Sequence, residues 1–207
     1  MNLAYCYNSL GVMYRQLKNL DLALEYNLLA LDVYTSLNDS LAIADSWNNI
    51  ANVYQDTDSS KSDKAFEYYV KAEQMYEKLG VLSSRFSIHI NLGIEYEGQR
   101  NFDKTKSAFS NALRVARKNE NIANEISARV NFSYLYALLY EFEDAEKHLT
   151  ISYTLAHDLN ILEEQLLVAD AFINLRKREE KYKQALDWTN VRKEISDHLY
   201  QQHRNEF

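Results

Sequence analysis

The chain has 207 residues, of which 46% are hydrophobic and 26% are charged, and its formal net charge is −7. An acidic chain repels phosphate, which argues against nucleic acid as a partner. With no proline and only four glycines, the composition excludes a turn-dense β fold and favours helices joined by short polar turns.

The sequence carries no sign of export or of a membrane span. Cys6 is alone, so neither a disulfide within the chain nor a thiolate metal site is expected. The start, MNLAYCYNSL, lacks the basic and apolar regions of a signal peptide, and no apolar run is long enough to cross a bilayer. We therefore expect a cytoplasmic protein without direct membrane insertion. The periplasm is the alternative if the chain belongs to a membrane-bound sensor.

Apolar residues at helical spacing predict helices in pairs along the whole chain. The first helices are predicted at about 2–16, 41–56, 83–99, 123–140 and 162–178, and the second helices at about 21–37, 63–79, 103–118, 143–158 and 182–206. Acidic residues that suit the helix dipole stand at the starts of four second helices, namely Asp21, Asp63, Asp103 and Glu143. The breaks between pairs carry residues that tolerate left-handed backbone, which are Asn38, Gly80, Asn119, Asn121 and Asn160.

The pairs repeat with a period of 40 to 42 residues, which is set by the apolar positions Leu10, Ile50, Leu92, Phe132 and Phe172. The next residue is small in the first four units, as Gly11, Ala51, Gly93 and Ser133, and a tyrosine follows three residues later, as Tyr14, Tyr54, Tyr96 and Tyr136. The second helices carry Ala23, Ala65, Thr105, Ala145 and Ala185 at matching places. Small residues that recur at one position predict a close approach of two helices. We expect a single domain, 1–207, with repeats at about 4–40, 41–81, 82–121, 122–161 and 162–207.

The fifth unit departs from this pattern. Ile173 replaces the small residue, Arg176 the tyrosine and Arg192 the last alanine. Because a terminal repeat exposes its outer face to water, we expect Arg176 and Arg192 to form a polar cap. The second helix runs on towards Phe207, which predicts either continuation into a longer polypeptide or a homodimer paired through this helix. A frayed tail is the alternative.

No constellation of residues predicts catalysis. None of the five histidines has a second histidine or a cysteine at a helical metal-binding spacing, and no glycine-rich phosphate loop exists. The segment 56–67 spaces Asp56, Asp58, Ser60 and Glu67 as in a calcium loop, but Lys61 stands where that loop needs glycine. We therefore expect a plain polar turn there, and a protein that is not an enzyme, with no catalytic residue, cofactor or metal.

The leucine, small residue and tyrosine of each first helix, followed by spaced alanines, resemble the tetratricopeptide repeat. The stretch WNNIANVY, at 47–54, is similar to the subgroup with a period of 40 to 42 residues, found in kinesin light chains and in bacterial signalling proteins. The resemblance implies an all-α fold, a right-handed α-solenoid (superhelix) of five antiparallel helix hairpins. It also implies a non-catalytic scaffold that binds a protein or peptide partner in a concave groove.

The resemblance further implies which positions line that groove. The expected groove residues are Asn8, Val12, Asn48, Asn52, Gln55, Ile90, Ile94, Val130, Tyr134 and Asn174. They make the groove amide-rich at first and apolar in the middle, with charged neighbours at the end. Packing between repeats is the alternative role for Ile90, Ile94 and Val130. The regularly placed Asn49, Asn91 and Asn131 are expected to bridge neighbouring units by hydrogen bonds.

Two other functions stay open. In the first alternative, the chain is the sensor or regulatory region of a longer bacterial signalling protein, either a histidine kinase or a transcription regulator. In the second, it is an enzyme with a hidden site, which the composition disfavours.

Overall fold

The computed structural model describes residues 2–57, 62–81 and 84–205. This part of the chain is all helical and contains no strand, which confirms the predicted fold class, and every helix end lies within two residues of its predicted position. The helices are α1 Asn2–Gln16, α2 Leu20–Ser36, α3 Ser40–Asp56, α4 Ser62–Leu79, α5 Arg85–Gly98, α6 Phe102–Lys118, α7 Ile122–Leu138, α8 Phe142–Asp158, α9 Leu162–Arg178 and α10 Tyr182–Asn205.

The helices form two compact units, residues 1–101 and 102–207. Within the first unit α1 to α5 pack in sequence, each helix against the next, and within the second unit α6 to α10 do the same. The hairpins α1–α2 and α3–α4 belong to the first unit, and α7–α8 and α9–α10 belong to the second. The helices of the expected third pair, α5 and α6, belong to different units.

The described turns share one backbone feature, which is a single residue with positive φ just after the end of a helix. These residues are Lys18, Asn38, Gly80, Arg100, Glu120, Tyr140, Asn160 and Glu180. Asn38, Gly80 and Asn160 are among the predicted break residues, whereas at the third break the left-handed residue is Glu120 rather than Asn119 or Asn121. Asn19, Asp39 and Asn121 cap the starts of α2, α3 and α7, since the side chain of each accepts a backbone N–H of its helix.

The small residue of each first helix and the tyrosine after it have distinct roles in the hairpins. Gly11 lies directly against Asn27 of α2. Three of the tyrosines stack instead on a ring at one equivalent position of the second helix: Tyr14 on Tyr26 at 5.4 Å, Tyr54 on Tyr68 at 5.9 Å and Tyr136 on His148 at 5.5 Å between ring centroids. The fourth, Tyr96, meets Phe66 of α4 edge to face at 5.3 Å. These ring pairs fill the space beside the close contact.

Each unit has its own apolar core. In the first unit, Ala4, Ala30 and Tyr34 form a buried cluster against which Ile43 of α3 packs. A buried cluster of the second unit is built from α7, α8 and α9. Its buried members are Ile126, Val130, Ala137, Ala145, Leu149, Ala156, Val168, Ala171, Phe172 and Leu175.

The structure corrects one expectation for the last repeat. Arg192 is exposed and pairs with Asp170 at 2.6 Å, as a cap residue does. Arg176 is not a surface residue, because only 7% of its side chain is exposed and it forms ion pairs with Glu146 of α8 and with Glu179. It takes the place of the repeated tyrosine inside the hairpin, where its guanidinium lies 5.9 Å from the ring of Phe172.

Candidate functional site

The first helices of the N-terminal unit are joined by a row of side-chain amides. Asn49 of α3 donates to Oδ1 of Asn8 in α1 at 2.8 Å, and Asn91 of α5 donates to Oδ1 of Asn52 in α3 at 3.0 Å. We call Asn8, Asn49, Asn52, Gln55 and Asn91 the amide row. The expectation that Asn49 and Asn91 bridge neighbouring repeats is confirmed. Asn131, by contrast, donates to the carbonyl of Ser127 in its own helix at 2.9 Å.

Tyr69 of α4 holds the middle of the amide row in place by hydrogen bonds to Asn52 and Gln55. Its ring is fully buried, and its hydroxyl lies 2.7 Å from Oδ1 of Asn52 and 3.0 Å from Oε1 of Gln55. Burial raises the pKa of Tyr69 well above its usual range, so the phenol keeps its proton and acts as a donor. Gln55 in turn donates to Oε1 of Glu95 at 3.4 Å.

Two donors of the amide row have no acceptor in the part of the chain that the structure describes. The Oδ1 atoms of Asn8 and Asn52 are occupied, and among the described residues nothing accepts a hydrogen bond from the Nδ2 group of either residue. Both side chains are half-buried. An amide whose carbonyl is held by the protein still has its N–H₂ group as a donor, so these residues suit a ligand with hydrogen-bond acceptors.

An ion pair closes one end of the amide row. Nε of Arg15 in α1 lies 3.1 Å from a carboxylate oxygen of Asp56, the last residue of α3, and Nζ of Lys18 lies 3.5 Å from the same oxygen. The pair ties the ends of α1 and α3 together, so the amides between them are held at a fixed spacing.

The remaining predicted groove residues differ in exposure. Val12, Ile94 and Tyr134 are exposed by 38%, 43% and 40%, and Asn174 is exposed as well. Ile90 and Asn48 are half-buried, and Oδ1 of Asn48 is buried without a hydrogen-bond partner among the described residues. Val130 is only 3% exposed and belongs to the core of the second unit, where it has the packing role that was its alternative.

The predicted residues fall into two sets. Asn8, Val12, Asn48, Asn52, Gln55, Ile90 and Ile94 lie on the first helices of the N-terminal unit, whereas Val130, Tyr134 and Asn174 belong to the C-terminal unit. The candidate site described here is therefore the amide row of the first unit, with Val12 and Ile94 as the exposed apolar side chains of the same helices.

The sequence did not single out Tyr69 or Glu95. Tyr69 could have been noticed because it stands at a core position between Ala65 and Ala72. A buried phenol needs a hydrogen-bond partner, so this position predicts such a partner nearby. Its partner is defined only by the packing of α4 against α3.

The described residues contain no group of three or more histidine, cysteine, aspartate or glutamate side chains placed to hold a metal ion. Asp58 and Ser60 of the calcium-like spacing lie outside the described residues. Among the described helices, none is both long enough and apolar enough to span a bilayer.

Comparison with known proteins supports the resemblance seen in the sequence. Residues 2–78, which contain α1 to most of α4, match the family model of the tetratricopeptide repeat. Over residues 2–78 the chain carries the tetratricopeptide repeat, as the resemblance in the sequence predicted. The subgroup with a period of 40 to 42 residues stays a prediction. No curated protein sequence matches the chain.

Solved structures with the same fold extend over nearly the whole chain. BtubC (BKLC) from P. vanneervenii is 16% identical, with a TM-score of 0.79, and the match covers 94% of this chain and 80% of that one. A Rap protein complexed with Competence and Sporulation Factor is 17% identical with a TM-score of 0.78, covering 94% of this chain and 54% of that one. A STAND protein with a tetratricopeptide repeat sensor, from Pyrococcus horikoshii, is 15% identical with a TM-score of 0.67, covering 98% of this chain and 38% of that one. At these identities the likeness establishes the fold, which is the helical-repeat solenoid class.

Proposed function

We propose that the chain is a non-catalytic module that binds a protein or peptide partner along the amide row of its first unit. The observation that carries this proposal is the pair of Nδ2 donors on Asn8 and Asn52, which have no acceptor among the described residues while Asn49, Asn91 and Tyr69 hold the carbonyl oxygens. A peptide in extended conformation offers a row of carbonyl acceptors irrespective of its sequence, which suits donors on successive helices.

Apolar side chains supply the second element of recognition. Val12 of α1 and Ile94 of α5 are exposed on the helices that carry the amide row, and burying such side chains against an apolar residue of the partner stabilises the complex. The Rap protein with the same fold binds Competence and Sporulation Factor, which supports a binding role for folds of this kind.

The proposal is tested by selecting ligands from a random peptide library displayed on phage against the immobilised chain, and then measuring the affinity of a selected peptide by calorimetry. Asn52→Ala removes one donor, and loss of one hydrogen bond of about 1 to 1.5 kcal/mol weakens binding by roughly tenfold. Asn190→Ala, an exposed amide on α10, is the matched control and leaves the affinity unchanged. Equal affinities of the wild type and the Asn52→Ala variant, with both folded, would reject the amide row as the binding site.

A second candidate function is the sensor or regulatory region of a longer bacterial signalling protein, a histidine kinase or a transcription regulator. It is favoured by the likeness to a protein that contains a tetratricopeptide repeat sensor. Its test is the open reading frame of the natural gene beyond residue 207. A following kinase or DNA-binding region supports this candidate, and a stop codon directly after Phe207 excludes a region on that side.

A further inference from the structure

The face of α3 that contributes to the amide row also carries a carboxylate, that of Asp45. Asp45, Asn48, Asn52 and Gln55 recur at intervals of three and four residues, so they lie along one side of the helix. Asp45 stands seven residues before Asn52, which is about 10 Å along the helix axis. A peptide bound at the amide row therefore reaches Asp45 with two or three residues of extended chain.

A buried tyrosine holds Asp45 in the same way as Tyr69 holds Asn52. Tyr76, seven residues after Tyr69 on α4, is 1% exposed, and its hydroxyl donates a hydrogen bond to Oδ1 of Asp45. Burial, reinforced by this carboxylate, raises the pKa of Tyr76 well above its usual range, so the phenol remains the donor. The side chain of Asp45 is thus held through one of its two oxygens.

The charge of Asp45 has no counter-charge among the described residues. Its Oδ2 receives no hydrogen bond from them, and none of their basic side chains lies within ion-pair distance of it. Two arginines of the same unit are held by other carboxylates, since Arg15 pairs with Asp56 at 3.1 Å and Arg85 with Glu73 at 2.6 Å. Asp45 is half-buried, so water solvates its charge only in part, and a cation that pairs with it is stabilised more than at an exposed carboxylate.

The chain on both sides of Asp45 is acidic and lacks positive charge. Residues 19–60 contain no lysine, arginine or histidine. The acidic residues of this stretch are Asp21, Glu25, Asp32, Asp39, Asp45, Asp56 and Asp58. The effect is felt at Tyr34 of α2, where burial and then the charges of Asp39 and Asp45 raise the pKa of the phenol. A negative potential of this kind attracts a cationic ligand group and repels an acidic one.

An exposed aromatic ring stands at the matching place of the preceding repeat. Tyr5 of α1 lies one repeat period before Asp45 and is 67% exposed. The two helices are neighbours, because Asn49 of α3 donates to Asn8 of α1. The face of an aromatic ring attracts a cation, so the ring of Tyr5 suits the same kind of ligand group as Asp45.

We propose that Asp45 binds a basic side chain, lysine or arginine, of a peptide held by the amide row. The inference rests on the proposed function and adds to it the class of ligand, which is a peptide with a positively charged residue two or three positions from the segment that pairs with Asn52. The ammonium or guanidinium group donates to Oδ2 of Asp45, while Oδ1 keeps its bond from Tyr76.

The peptides selected from the random library provide the first test. We expect lysine and arginine to be enriched in them relative to the unselected library. A selected peptide is then synthesised with an acetylated N-terminus, so that the terminal amine cannot supply the positive charge. Replacing its basic residue by the uncharged norleucine (for lysine) or citrulline (for arginine) weakens binding in calorimetry by roughly tenfold.

Substitution of Asp45 provides the second test. Asp45→Asn removes the charge but keeps an oxygen that accepts the bond from Tyr76, so the packing of α3 against α4 is preserved. We expect this variant to bind the basic peptide roughly tenfold more weakly and the uncharged peptide as the wild type does. Asp32→Asn makes the same change of net charge at an exposed residue of α2 and leaves both affinities unchanged. Circular dichroism confirms that the variants are folded.

The outcomes separate this inference from the proposed function. Selected peptides without enrichment of basic residues overturn it, and so do equal losses of affinity for the basic and the uncharged peptide in Asp45→Asn. A peptide that is weakened by Asn52→Ala but not by Asp45→Asn overturns the inference and leaves the proposed function standing. Failure to select any peptide, or affinity that is unchanged in Asn52→Ala, rejects the proposed function and this inference together.

Discussion

Gly11 of α1 and Asn27 of α2 pack so closely that a methyl group on Gly11 would lie 2.5 Å from Oδ1 of Asn27. Asn27 is 1% exposed and its Nδ2 donates to the carbonyl of Ala23 at 2.8 Å, so its side chain is held in place. Gly→Ala gains about 1 kcal/mol of helix propensity, but overpacking of this kind costs about 1 to 3 kcal/mol. We expect Gly11→Ala to lower the free energy of unfolding by about 1 kcal/mol in urea denaturation.

The chain offers a matched control for this prediction. Gly98, at the end of α5, has no atom within 4 Å of its added methyl group, so Gly98→Ala is neutral or stabilising. Asn27→Ala makes room for the methyl group, and we expect Gly11→Ala to stabilise that background. A destabilisation by Gly11→Ala that persists there would show that the contact with Asn27 is not its cause.

The helices could be predicted from the sequence, because the absence of proline and the spacing of apolar residues determine helix formation within each short segment of the chain. The place of Gly11 and the need for a small residue followed from the same repeat. Pairings across repeats were only partly predictable: the regular Asn49 and Asn91 indicated a bridge, but Tyr69, which lies on a second helix, had no repeat partner to reveal it. Arg176 was misplaced for a related reason, since a charged residue was assigned to the surface although Glu146 and Glu179 neutralise it inside the hairpin.

Tyr69 orients the amide row through its hydroxyl group, and removing that hydroxyl tests this role. Tyr69→Phe keeps the buried ring but removes the donor to Oδ1 of Asn52. We expect it to lower the free energy of unfolding by about 1 to 2 kcal/mol, and to weaken a selected peptide ligand because Asn52 is then oriented by Asn91 alone. Calorimetric binding and urea denaturation measure the two effects.

The neighbouring Tyr68→Phe is the control for that variant. Tyr68 stacks on Tyr54, and its hydroxyl makes no hydrogen bond among the described residues, so its removal changes neither quantity. In the Asn52→Ala background Tyr69→Phe has little further effect on peptide affinity. Additive losses in the double variant would mean that Tyr69 acts on binding by another route.

Arg176 stabilises the last hairpin through its ion pairs. Arg176→Ala leaves the carboxylate of Glu179, which is 6% exposed, with Lys181 at 2.7 Å as its remaining charged partner among the described residues. Removing one member of a buried pair is strongly destabilising, and we expect a loss of about 3 kcal/mol in the free energy of unfolding. Arg176→Tyr restores the residue of the other repeats and fills the site, so it costs less than the alanine variant.

Arg178→Ala, two residues further on, serves as the surface comparison. Its guanidinium lies 5.5 Å from the exposed ring of Tyr140, and such a contact contributes about 0.5 to 1 kcal/mol. If Arg178→Ala were as destabilising as Arg176→Ala in the same denaturation assay, burial of the ion pairs would not be the source of the effect.

His148 makes the stability of the second unit depend on pH. Its ring stacks on Phe132 at 4.8 Å and on Tyr136 at 5.5 Å, and its Nδ1 is buried without a hydrogen-bond partner among the described residues. Burial, assisted by the charge of Arg129, lowers the pKa of His148 to about 4 from 6.5. Between these two values the unfolded chain binds the proton and the folded chain does not, so stability is complete above the higher value and is lost as the pH falls through the window.

We therefore expect the free energy of unfolding to fall between pH 6.5 and pH 4, by about 1 to 2 kcal/mol from this group because its side chain is partly solvated. His148→Phe keeps an aromatic ring in the stack and cannot be protonated, so it removes this contribution and is the more stable protein at the acid end. His198→Phe, on the exposed side of α10, keeps the wild-type dependence. Carboxylates titrate in the same pH range in all three proteins, so the test compares how their free energies of unfolding in urea change with pH. Parallel changes for the wild type and His148→Phe would show that His148 is protonated equally in the folded and unfolded states.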